Sequence, residues 1–155
     1  MRQHQIFSQG QQEHPRGLAY MQRSGHFEFG LDRRPMNLGD TERVGRIIDA
    51  WAAGEEVRGL AMYWDMVHTY LARVLAADER LREAALVVHY ESFCERPAQT
   101  LQSVFAHCAL AEAETVIEKH APGIRAPGYY QSRLSEADRA IICQETANAA
   151  VLWGY

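Results

Sequence analysis

Ala85-Leu86-Val87-Val88-His89-Tyr90 is the stretch on which the fold turns. It is short, almost wholly apolar and β-branched at its centre, the composition of a strand covered on both faces. Nothing else in the chain reads convincingly as a strand. A single strand cannot make a sheet, because its backbone donors and acceptors need neighbours on at least one side. The stretch therefore predicts that further strands lie elsewhere. Either a partner supplies them, or the chain is the rear part of a larger α/β protein.

Working outward, the flanks read as helix. Upstream, Glu56 to about Asp78 carries Leu60, Trp64, Val67, Leu71 and Val74 at alternating spacings of four and three, one apolar stripe facing a core. Before it, Asp40 or Thr41 caps a helix with Val44, Ile47, Ile48 and Trp51 on one side, ending near Gly54. Downstream, Pro97 suits a first helical turn, with Leu101, Val104, Phe105 and Cys108 as the buried side. A short helix with Val116 and Ile117 follows, then a loop from Ala121 to Arg133 punctuated by Pro122, Gly123, Pro127 and Gly128. Ser135 and Asp138 make a capping box for a last helix with Ile142, Thr146, Ala149 and Trp153 inside and Gly154 at its stop. At the other end, 1–9 reads as a short helix. Gly10 to Gly39 shows no sustained period, holds Pro15 and Pro35, and reads as a long loop.

Composition narrows the function classes. The 155 residues suit a single domain, and 47% apolar with 23% charged residues is a folded composition. Sixteen Lys+Arg against twenty Asp+Glu leave a formal charge of −4, which gives no global field for nucleic acid or anionic lipid. No stretch reaches the ~18 apolar residues of a membrane helix, and no apolar signal core follows Met1. Cys94, Cys108 and Cys143 form no CxxC pair, so a cytoplasmic, reduced setting is predicted. His26 and Glu28 make an HxE with no Pro-Cys-x-x-Cys after it, and His68 has no HExxH partner, so no metal site is predicted. The run from Arg16 to Arg34, with its aromatic residues, is interrupted by Glu28 and Asp32 and is too poor in lysine to track a phosphate backbone.

The order around the central stretch resembles the PAPS-dependent sulfotransferases of bacterial type. The likeness runs through a helix bearing Trp64, then Val87-Val88-His89-Tyr90-Glu91, Arg96-Pro97, Leu101, Phe105 and Ala109-Leu110. Leu134-Ser135-Glu136 and the closing Leu152-Trp153-Gly154-Tyr155 extend it, so that it covers about 40 to 155. Ser92 stands where the family usually has Asp, and Cys108-Ala109 near its common Leu-Gly. The resemblance implies an α/β fold: the helix-rich C-terminal portion of a three-layer, P-loop-like domain, mostly helical with one clear strand at about 85–90, preceded by a variable, loop-rich insertion over 1–39. It further implies a truncated chain, because the family's Pro-Lys-Ser-Gly-Thr-Thr phosphosulfate loop, whose N–H groups and lysine hold the leaving group, has no counterpart here.

In the intact family a sulfuryl group passes from PAPS (3′-phosphoadenosine 5′-phosphosulfate) to a hydroxyl or amine acceptor. The resemblance places Tyr90 beside the adenine, and Arg125 and Arg133, flanking Tyr129-Tyr130, near the cofactor's 3′-phosphate. Glu91 is expected to be structural, bonding loop backbone. With the catalytic half absent, no catalytic residue is assigned, the acceptor is unknown, and the chain alone is expected to be inactive. The alternative is a non-catalytic helical interaction protein derived from the same scaffold, pairing through the edge of 85–90 with a second copy or a complementing chain. An unrelated all-α protein would leave the strand and the ordered motifs unexplained.

Overall fold

The computed structural model describes residues 2–126, 128 and 134–155. Helix accounts for 72% of the described residues and strand for none, so the expected α/β, three-layer, P-loop-like architecture is corrected to an all-helical one. The expected strand at 85–90 is an irregular extended run as far as His89, and Tyr90 already opens a helix. The physical reason is relational. Apolar β-branched residues favour extended backbone, but a strand exists only when a neighbour completes its ladder, and no described residue does so.

The chain divides into two units, Met1–Arg73 with Leu134–Tyr155, and Val74–Arg133. The first unit begins with α1 (Arg2–Glu13) and α2 (Pro15–Ser24), so helix occupies much of the stretch that the sequence presents as loop. Pro15 does not break the structure here. It stands in the first turn of α2, where a missing N–H costs nothing, and Gly25 at φ 75° ends the helix. One face of α1 fastens the following loop. Gly30 N–H donates to His4 Nδ1 (3.3 Å), Phe7 stacks on Phe29 with centroids 6.0 Å apart, and Leu31 N–H donates to Gln11 Oε1 (2.7 Å). Gly30 has φ 95°, and a Cβ there would run into the Gln11 amide, so two independent requirements select glycine.

α3 (Thr41–Ala52) starts where the sequence predicts, with the Asp40 carboxylate accepting from Arg43 N–H at 2.9 Å. α4 (Glu56–Ala77) also matches its predicted span, and Leu60, Trp64, Val67 and Val74 of its stripe are half-buried while Leu71 is exposed. Gly59, Ala61, Asp65 and Met66 are the residues it buries most fully. Small residues let α4 approach its neighbours. A Cβ on Gly59 would meet the Trp51 ring at 2.4 Å. α9 (Glu136–Leu152, the last helix) has the predicted Ser135–Asp138 capping box and puts fully buried Ala149 against the core, where Ile47 is also 0% exposed.

A buried charge ties these helices together. Asp65, 4% exposed, accepts from the Arg43 guanidinium and from Ala149 N–H, joining α4 to α3 and α9. Arg58 adds a second tie, Nε to Glu145 at 2.9 Å and Nη1 to Glu55 at 3.1 Å. Trp153 Nε1 donates to the His68 carbonyl (3.0 Å), and the His68 ring lies stacked on Trp64, centroids 3.9 Å apart. The bonds from α4 to α9 and Trp153 join partners far apart in sequence, from 84 residues for Asp65 and Ala149 to 87 for Arg58 and Glu145.

The second unit contains α5 (Glu79–Ala84), α6 (Tyr90–Glu95), α7 (Pro97–His107), α8 (Ala113–His120) and a 3₁₀ turn at Ala121–Gly123. Asp78 caps α5 through Arg80 N–H (2.9 Å) and Leu81 N–H (3.2 Å), and Pro97 opens α7 as its sequence predicts. Leu101, Val104 and Phe105 are half-buried, whereas Cys108 is exposed. α7 ends in a Schellman arrangement, Leu110 N–H on the Phe105 carbonyl and Ala109 N–H on that of Ala106, with Ala109 at φ 50° where glycine is the usual residue. Among the described residues of this unit only Ala121 is buried.

Candidate functional site

The segment between α5 and α6 is where the second unit departs from self-sufficiency. α5 closes when the Ala84 carbonyl accepts from His107 Nε2 (3.1 Å) instead of from the next turn. The chain then extends, with Ala85 at φ −104°, ψ 131° and His89 at φ −78°, ψ 127°. His89 turns the chain back into helix by accepting from Phe93 N–H at 2.9 Å. Between these points, Ala85, Leu86, Val87 and Val88 make no backbone hydrogen bond to any described residue.

Their side chains are equally open. Leu86 is 41% exposed, Val87 48% and Val88 41%. Successive side chains of an extended chain point to opposite sides, so exposure at three consecutive positions leaves both sides uncovered. Single exposed apolar residues are ordinary, but a contiguous exposed run outside any helix or sheet is less so. Covering the exposed parts of these three side chains would contribute roughly 2–4 kcal/mol, before any backbone bond is counted.

The ends of the segment carry acid. Glu83 precedes it by two positions and Glu91 follows Val88 by three; both are exposed, and neither carboxylate is engaged by a described residue. Arg82, beside Glu83 in sequence, is paired with Glu79 at 3.3 Å. The bond from Glu91 to loop backbone that its sequence position suggests is not made among the described residues.

Of the residues the resemblance assigns to a cofactor, Tyr90 is the first residue of α6 and exposed, not the end of a sheet strand. Arg125 follows the 3₁₀ turn, exposed and without a hydrogen bond or ion pair to a described residue. Arg133 lies outside the described residues, as do Tyr129 and Tyr130. No described contact brings Tyr90 and Arg125 together.

The first unit holds the more elaborate polar cluster. Arg33 grips Glu56 with both amino groups, at 2.6 and 2.9 Å, and lies 3.8 Å over the Trp51 ring. Burial alone would push the Glu56 carboxyl up, but the Arg33 hydrogen bonds and charge outweigh it and hold the group below the usual range. His4 is lowered by burial first and by the Arg33 cation second, against an opposing pull from Glu56. Every charge here is answered by another, which is the pattern of a structural tie. A cleft of about 430 Å³ is lined by Arg46, Asp49, Glu55, Arg58 and Glu145, and there Arg58 is held in its protonated form chiefly by Glu145 and then by Glu55.

His26 pairs with Glu28 at 3.8 Å, and no group of three or more His, Cys, Asp or Glu among the described residues could hold a metal ion. No described helix is long and apolar enough to cross a membrane. Comparison with family models, with curated proteins and with solved structures finds no match to this chain.

Proposed function

We propose that the chain is a non-catalytic helical interaction protein, whose first unit is a finished helical body and whose second unit offers the 85–88 segment to another polypeptide. The observation that supports this reading most is the coincidence of exposed apolar side chains and unengaged backbone in those residues. A strand laid beside them would satisfy the backbone by hydrogen bonds and the side chains by burial together, as in β-strand addition.

The test uses the full chain and three fluorescent peptides sharing a five-residue β-branched core, flanked by lysines, by serines or by glutamates. Binding of any one of them, lost when Val87 is replaced in V87K, supports the reading. Failure of all three to bind at high micromolar concentration overturns it. Circular dichroism of V87K guards against misfolding, which an exposed position makes a small risk.

Sulfuryl transfer from PAPS is a reading that the resemblance alone carries, with Tyr90 and Arg125 as its described residues and an acceptor of unknown identity. It predicts that a front half must be added before any chemistry occurs. Transfer of radiolabel from PAPS to an acceptor by the purified chain would reverse the order of the two readings.

A further inference from the structure

We infer that the occupant of the 85–88 segment is an extended apolar strand of a different protein carrying a basic residue beyond each end. This rests on the docking reading above and names its partner by charge.

Glu83 and Glu91 bracket the segment, exposed and without a described partner, while Arg82 is held by Glu79. Whichever way a strand runs along the segment, a carboxylate-bearing residue stands two or three positions beyond each of its ends. Lysine or arginine there gains from the field twice, and glutamate loses twice.

The same two residues argue against a second copy. A twofold antiparallel pair centred on Val87 sets Leu86 against Val88, which is favourable. It also sets the Glu83 end of each copy against the Glu91 end of the other. Four carboxylates would gather around one short ladder, and like charges placed opposite each other oppose pairing. The segment is thus open to strand addition, and its flanks select against itself, which is how an exposed edge avoids self-association.

The experiment ranks the three peptides by anisotropy on the full chain at low and high salt, and repeats the ranking on the E83Q/E91Q variant. The expected result is lysine over serine by at least about tenfold at low salt, serine over glutamate, with the ranking compressed by salt and by the double variant. Both substitutions are at exposed positions, so the variant remains folded. Equal binding of the lysine and serine peptides overturns this inference and leaves the docking reading standing. If no peptide binds, both fall. Sedimentation in which the unliganded chain is a dimer and V87K a monomer also overturns it, because a second copy is then the occupant.

Discussion

Both units are built from helices, yet they solve the problem of burial in opposite ways. The first closes its core with small residues and a buried charge: Ala50, Gly59, Ala61 and Ala149 bring helices close, and Asp65 collects a guanidinium and a backbone N–H from two of them. The second has short helices, only Ala121 buried among its described residues, and its most apolar run in the open. Burial within the chain carries the first. The second leaves apolar surface exposed, and regions with few buried contacts are commonly the ones that open most easily.

The sharpest way to break the comparison is at Asp65. Replacing Arg43 in R43M strands a buried carboxylate with one remaining donor, and is expected to cost about 3–5 kcal/mol in denaturant unfolding. Converting both partners together, as R43M/D65L, is expected to recover much of that loss. If R43M is silent, the first unit does not depend on its charge. Next in size is G59A. The added methyl meets the Trp51 ring at 2.4 Å, and the ring is already held by Arg33 and, edge-on, by Tyr63. The expected net loss is about 1–2 kcal/mol, since alanine returns some helix propensity.

In the second unit the sign is expected to reverse. Ala109 bears a left-handed conformation that glycine adopts freely, so A109G should raise stability by about 1 kcal/mol, read from the unfolding of α7 and α8 by amide exchange. The smallest expected effect is with pH. His4 is depressed below its ordinary 6.5, so the folded state binds its proton more weakly than the unfolded chain. Its contribution is complete above pH 6.5 and is lost as pH falls toward the lowered value; Glu56, lowered from 4.5, adds a second loss below that pH. Exchange of α1 amides should quicken in that order, and H4Q should remove the first step.

Where one residue decides a local feature, the sequence was readable. Asp40, Pro97, Ser135 with Asp138, and Gly154 each mark a helix end through a bond or a dihedral that depends on that side chain alone, and each stands where expected. Relational features were not readable. Val87 and Val88 favour extended backbone, but no sequence pattern in a segment shows whether a ladder partner exists. α4 also buries Asp65, whose carboxylate meets Arg43 and Ala149, distant in sequence. α1 fastens its loop through His4 and Gln11, polar residues that no search for an apolar face would choose. The candidate site was legible as a composition, while Glu83 and Glu91 became meaningful only once the segment between them was seen to be open.

The first unit is interrupted in sequence: α9 returns to it after the whole of the second unit has been made. On a ribosome, then, Arg43 and Asp65 emerge long before the Ala149 N–H that completes their site, and His68 waits for Trp153. Domains that are contiguous in sequence can fold as they emerge. Here the unit with most of the buried residues is the one that must wait for its last helix. A chain cut short ahead of Ser135 would lose the body that its early helices exist to build, while the open run at 85–88 would still be present in full.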